Sequence, residues 1–88
     1  MNPEVTVICT CYNHASYIRE SLLAVMQQTY SSIQLIVIDN ASTDDSRRVI
    51  QEFIDQYPQV IFLRNTHNIG LCRAFNQGLG EATGKYVI

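Results

Sequence analysis

The sequence predicts an α/β fold in which helices pack on a parallel sheet. Three observations carry this expectation. Apolar, β-rich runs recur four times, at Val5–Cys9, Leu35–Ile38, Val60–Leu63 and Tyr86–Ile88. The segments between them show helical spacing of apolar residues. The first two runs are almost continuously apolar rather than alternating, as strands covered on both faces are.

Taken in order, strand one runs into Thr10-Cys11-Tyr12-Asn13-His14. Ile18, Leu22, Val25 and Met26 then share one face of a first helix. Strand two ends on Asp39, and its carboxylate is expected to emerge at the rim of the sheet. A second helix follows, with Val49, Ile50, Phe53, Ile54 and Tyr57 on one face. Ser42 or Thr43 is expected to cap it, Asp44 and Asp45 place negative charge in its first turn, and Pro58 stops its continuation. Leu71, Phe75 and Leu79 share a face of a third helix, which Gly78, Gly80 and Gly84 break up toward its exit. The β-α-β-α-β-α-β order implies right-handed crossovers.

At 88 residues the chain is one small domain or part of one. It shows no linker, repeat or low-complexity stretch. Because Ile88 falls inside an apolar strand with no cap or polar tail, residues 1–88 are expected to be a single truncated N-terminal part of a larger domain. The edge thereby left open is expected to drive homo-oligomer formation, with the last three glycines as hinges.

Composition narrows the function. The apolar fraction of 47% and charged fraction of 16% are those of a globular chain. A net charge of -2 gives no general attraction to nucleic acid or to anionic lipid. The start, Met1-Asn2-Pro3-Glu4, lacks the basic region of a signal peptide, and no apolar run approaches the ~20 residues of a membrane span. Cys9, Cys11 and Cys72 are odd in number; Cys9 and Cys11 would share one strand face. A Cys-x-Cys beside His14 has no second ligand pair to complete a metal site, so the thiols read as reduced in a cytoplasmic protein.

Ligands of open α/β sheets bind outside the carboxyl ends of the strands. The loop after strand one has neither Gly-x-Gly-x-x-Gly nor a Walker lysine. It offers Tyr12, whose ring can stack on a base or serve as core or lid packing. Asp39 can accept a hydrogen bond from a ribose or a pyrimidine N–H, or cap a turn with Asn40. Asp44 reads as a helix cap. Asn68 can cap the third helix, Gly70 permits close backbone approach, and Arg73 either reaches a phosphate or is solvated.

Three stretches carry a resemblance to a known family. Val5-Thr6-Val7-Ile8-Cys9-Thr10-Cys11-Tyr12-Asn13-His14 resembles V-S-V-I-I-P-T-Y-N, the opening strand of family 2 glycosyltransferases. Leu35-Ile36-Val37-Ile38-Asp39-Asn40-Ala41-Ser42-Thr43-Asp44 resembles that family's I-I-V-V-D-D-G-S-T-D, with Asn40 in place of the second Asp and Thr10 in place of the usual proline. Asn68-Ile69-Gly70, Ala74–Gly78 and Ala82–Ile88 resemble its N-x-G…A-x-N-x-G…A-x-G-x-Y-I stretch.

The resemblance implies a three-layer, Rossmann-like half of a GT-A fold, with a parallel sheet in the order 3-2-1-4. It implies a nucleotide-sugar donor site, for a UDP-sugar, formed by Thr10, Cys11, Tyr12, Asn13, Asp39, Asn68 and Gly70. In that site Tyr12 lines the base and Asp39 hydrogen-bonds it, while Asp44 and Asn76 support. It further implies inverting transfer of the sugar to an acceptor hydroxyl in polysaccharide or glycoconjugate biosynthesis, at or near the cytoplasmic face of a membrane. The Mg²⁺ or Mn²⁺ of the full-length enzyme, its Asp-x-Asp ligands and its general base are expected beyond residue 88, leaving no catalytic or metal-binding residue in this piece and no activity of its own. A Rossmann dehydrogenase half and a receiver-like signalling domain are the competing readings. The first needs the missing glycine loop, and the second needs an acidic pair where Thr10-Cys11 stands.

Overall fold

A computed structural model describes residues 5–27, 33–84 and 86–87. Strand β1 (Val5–Cys11) is followed by α1 (Ile18–Met26), β2 (Ile33–Asp39), α2 (Ser46–Gln56), β3 (Ile61–Arg64), α3 (Leu71–Glu81) and β4 (Tyr86–Val87). The expected continuation of the last strand through Ile88 lies outside the described residues.

Every pairing is parallel, and the sheet order is β3-β2-β1-β4. β1 and β2 pair over their full length, from Val5 opposite Ile33 to Cys11 opposite Asp39. The central strands are thus shielded on both edges, and their aliphatic side chains fill two cores.

Alternation along the strands assigns each side chain to one core. Leu35 and Val37 join Cys11, Leu22, Ile50 and Phe53 beneath α1 and α2. Ile36 and Ile38 face the other way and meet Ala74 of α3. Phe53 is fully buried and stacks on Tyr57, with ring centroids 4.8 Å apart. Cys9 and Cys11 do share a face, within the α1/α2 core, and all three cysteines are free thiols. Burial, and secondarily the neighbouring Cys11, raises the Cys9 thiol above its ordinary pKa, which keeps it protonated and unreactive.

Three local expectations are corrected. The packing face of α3 is Ala74 and Gly78, both buried, whereas Leu71 is 69% exposed and Leu79 is exposed too. The glycines do not break this helix, which runs through Gly78 and Gly80 to Glu81. A Cβ on Gly78 would lie 2.7 Å from Ile8 Cγ2, so its lack of a side chain is what lets α3 settle on β1 and β2. At the other corner α2 begins at Ser46, with Asp45 as the cap residue rather than Ser42 or Thr43. Asp44 Oδ1 accepts from Ser46 N at 2.9 Å and satisfies one amide of that first turn.

The amino-terminal end of the sheet is tied by Gln34. Its Oε1 accepts from Thr6 Oγ1 at 2.7 Å and from Thr83 N at 2.9 Å, and its Nε2 donates to Glu81 O at 3.0 Å. Gly84 N then donates to Thr6 Oγ1 at 2.9 Å, which brings the chain alongside β1 as β4. Among the described residues no helix is long and apolar enough to cross a membrane.

Candidate functional site

The site sits where β1 and β2 release the chain on the carboxyl side of the sheet. Asn40 N donates to Cys11 O at 2.8 Å and Asn65 N to Asp39 O at 2.9 Å, so the three strand ends stay in register as their loops depart.

The two central loops are stapled together. Asn13 adopts φ 57°, a left-handed conformation that asparagine tolerates better than most residues. Its Oδ1 accepts from Thr43 N at 2.7 Å and Asp44 N at 3.3 Å, while Asn13 N donates to Ser42 Oγ at 2.9 Å. His14 N donates to Ser46 Oγ at 3.0 Å, and Ala15 N to Asp44 Oδ2 at 3.1 Å. Ala41 also has positive φ, 67°, a conformation that costs a non-glycine residue about 1 kcal/mol and persists here because its neighbours are held on both sides.

Asp44 is a full member of this staple. Its hydrogen bond with the Ser46 side chain, opposed by a desolvation penalty and aided by the backbone amides of Ser46 and Ala15, holds it below the ordinary carboxylate value of 3.8. A lowered folded pKa means that the unfolded chain takes up the proton first as pH falls. The stability Asp44 contributes is therefore present above pH 3.8 and disappears as pH drops through its folded pKa. Thermal midpoints followed from pH ~5 to ~3 should fall less steeply in Asp44→Ala than in the parent; parallel curves would show the carboxylate to be uncoupled from folding.

Asp39 departs from its expected place at the rim. It is fully buried, on the face of β2 that Leu35 and Val37 turn toward α2. Its Oδ2 accepts from Arg47 Nε at 2.7 Å and from Ser42 N at 3.1 Å. Arg47 also donates through Nη2 to Asn65 O, so one guanidinium clamps the ends of β2 and β3. Asp39 Oδ1 is buried with no partner among the described residues.

One residue on, Asn40 faces the opposite side and is the hub of a side-chain amide network. It reaches Asn68 and the Ile69–Gly70 backbone on one side and Asn65 on the other. Asn65 exchanges two hydrogen bonds with Gln77 of α3, at 3.0 and 2.8 Å. Gly70, at φ 88°, turns the chain into α3, and its amide donates to Asn68 Oδ1 at 2.8 Å.

Between these walls lies a cavity of about 180 Å³. The end of β1 contributes Thr10, Cys11 and Tyr12, and the following loop His14. Asn40 closes the β2 side, and Asn68 and Leu71 form the wall toward α3. Tyr12 is 43% exposed and Leu71 69%, so two apolar surfaces stand uncovered beside a polar wall. A void of about 150 Å³ admits a benzene ring, so the space has room for a planar ring.

Of the expected site residues, Thr10, Cys11, Tyr12 and Asn68 come together around this cavity. Asn13 and Asp44 serve the staple, Gly70 sets the entry to α3, and Asp39 is held apart by Arg47. Asn76 is exposed on α3, and its neighbour Gln77 is the residue that joins the amide network. The sequence reading missed Asn40, His14 and Leu71. Asn40 carried a signal, because it stands where the resembled motif has its second Asp. Among the described residues no group of three or more His, Cys, Asp or Glu is placed to hold a metal ion. The acidic residues near the cavity are committed to Arg47 and to the staple, so they do not fit one.

The model of glycosyl transferase family 2 matches residues 6–88. The chain belongs to that family. An uncharacterised family relative, alr2836 of Nostoc, is 38% identical over 84 residues, which cover 96% of this chain and 26% of that protein. TuaG of Bacillus subtilis, a glycosyltransferase named for a proposed role in teichuronic acid biosynthesis, is 34% identical over 87 residues, 97% of this chain and 34% of TuaG. Among solved structures, the mannosyltransferase PcManGT of Pyrobaculum calidifontis, in complex with GDP-Man and Mn²⁺, superposes with a TM-score of 0.87 at 32% identity over 99% of this chain and 26% of its own. The chain thus spans about a quarter to a third of these relatives' length, and its family 2 sheet is the GT-A type. The dehydrogenase and receiver-like readings are set aside by the same match.

Proposed function

We propose that this family 2 chain forms the nucleotide-binding wall of a glycosyltransferase, and that the whole protein transfers a sugar from a nucleoside diphosphate donor to an acceptor hydroxyl. The observation that carries the reading is the ring-sized cavity at the carboxyl ends of β1 and β2, with an uncovered tyrosine on one wall and amides on the other. The likeness to a mannosyltransferase solved with GDP-Man supports a nucleotide-sugar donor, and the likeness to TuaG supports a role in surface polysaccharide assembly. UDP-sugar is the donor we favour.

In this reading the base enters edge-first against Asn68, which Asn40 backs, with its face on Tyr12. Asp39 does not touch it. Paired with Arg47, it holds the β2 end so that Asn40 stays on the wall. Transfer is inverting: an acceptor hydroxyl, deprotonated by a base elsewhere in the whole protein, displaces the nucleoside diphosphate from the anomeric carbon. The divalent cation seen in PcManGT would offset charge on that leaving group.

The test is calorimetric titration of nucleoside diphosphates into the whole protein. Stacking on an aromatic ring is worth ~1–3 kcal/mol per base, so Tyr12→Ala should weaken binding by about tenfold or more. Because Tyr12 is partly exposed, its unfolding midpoint should hardly move. Undiminished affinity in Tyr12→Ala would remove the base from this cavity.

A further inference from the structure

The two amides on the cavity wall are oriented by backbone groups, and this decides which atom each turns toward a ligand. A backbone N–H only donates and a carbonyl only accepts. Ile69 N donates to Asn40 Oδ1 at 3.1 Å, and Gly70 O accepts from Asn40 Nδ2 at 3.4 Å. The same Oδ1 takes a second donor from Asn65 Nδ2 at 3.1 Å, and the same Nδ2 gives its second proton to Asn68 Oδ1 at 2.9 Å. Asn40 therefore has both donors and both lone pairs committed inside the protein. It lines the cavity yet has nothing left to offer a ligand.

Asn68 is oriented the same way and left half-used. Gly70 N donates to its Oδ1 at 2.8 Å and Asn40 Nδ2 to the same oxygen, so the oxygen must face the protein. Its Nδ2 makes no hydrogen bond to any described residue, and the side chain is exposed on the cavity wall. Two N–H donors in a fixed direction are thus the free polar feature of that wall.

We infer that Asn68 Nδ2 is the specificity-determining donor of the cavity, with Asn40 as its positioning residue. It selects nucleoside diphosphates whose base turns a carbonyl oxygen toward it at the position of uracil O4 or guanine O6. Cytosine and adenine carry an amino group at the corresponding ring position and would set donor against donor. This rests on the nucleotide-binding reading above.

The experiment compares UDP with CDP, and GDP with ADP, in calorimetric titrations of the whole protein. At least one keto nucleotide should bind about tenfold or more tightly than its amino counterpart, since one made bond and one buried clash separate them. Asn68→Asp keeps an oxygen facing Gly70 N and Asn40 Nδ2 but turns an acceptor to the cavity. The ratio within each pair should then collapse or invert, while any uniform repulsion of the diphosphates cancels from the ratio. Asn40→Leu, with folding verified by circular dichroism, should blunt the ratio although Asn68 is intact. Equal affinity of the parent for both members of each pair overturns the inference, as does an Asn68→Asp protein that keeps the parental ratio. Failure of the parent to bind any of the four overturns the nucleotide-binding reading itself.

Discussion

Arg47→Met should cost about 2–3 kcal/mol in urea unfolding, far more than loss of an ordinary surface arginine. Arg47 is 43% exposed in its side chain, but its partner Asp39 is completely buried. Removing the guanidinium leaves a carboxylate whose remaining hydrogen bond comes from Ser42 N, with Oδ1 already unpartnered. It also leaves Asn65 O without the Nη2 donor, which loosens β3 from β2. The expected figure lies below the full cost of breaking a wholly buried ion pair, because water can reach the arginine's place. Asp39→Asn in the Arg47→Met background should recover most of the loss, since a neutral amide needs no counter-charge. A double variant as unstable as the single one would show that Arg47 acts through Asn65 O and packing and not by neutralising Asp39.

Gly84→Ala is the second change with a large expected effect, about 3 kcal/mol or more. A Cβ there would lie 2.6 Å from Thr6 N and 2.9 Å from Val5 C, besides 2.5 Å from Thr6 Oγ1. Two of those atoms are backbone of β1, so no rotamer change relieves the clash. The chain must move off β1, and the bond from Gly84 N to Thr6 Oγ1 goes with it. Thr6 is fully buried and its hydroxyl also donates to Gln34, so the disturbance reaches β2. Gly80→Ala is the matched control, since nothing lies within 4 Å of a Cβ at that helical position. Equal urea midpoints for the two variants would show that β4 accommodates the methyl without separating from β1.

The β-α alternation was legible because the two central strands are apolar on both faces, and that same property hid the faces. Leu35, Ile36, Val37 and Ile38 are all buried, so no polar residue marks which side each one takes. Whether Asp39 or Asn40 lines the cavity depends on that parity. Only the packed structure, which puts Val37 under α2 and Ile38 under α3, assigns Asp39 to Arg47 and Asn40 to the cavity. The α3 face was misread for a related reason. Ala74 and Gly78 are too small to register as an apolar stripe, while Leu71 and Leu79 register and are exposed. Thr10, Cys11 and Tyr12 were legible from chain order alone, because a loop leaving a central parallel strand can only open at the carboxyl edge. The amide network was not, since its members lie just past β2, in the loop after β3, and on α3, and converge only once β2 and β3 are in register.

The staple between Asn13 and the 42–46 segment bears on the thermodynamics of ligand capture. Fixing a loop residue costs about 1–2 kcal/mol of backbone entropy at 25 °C. Here Asn13, His14 and Ala15 are already fixed by bonds to Ser42, Ser46 and Asp44. That ordering is incurred when the domain folds, not when a ligand arrives, so a base would dock on a rigid tyrosine platform instead of recruiting a loose one. Association should consequently be fast and little dependent on conformational gating on this side of the cleft.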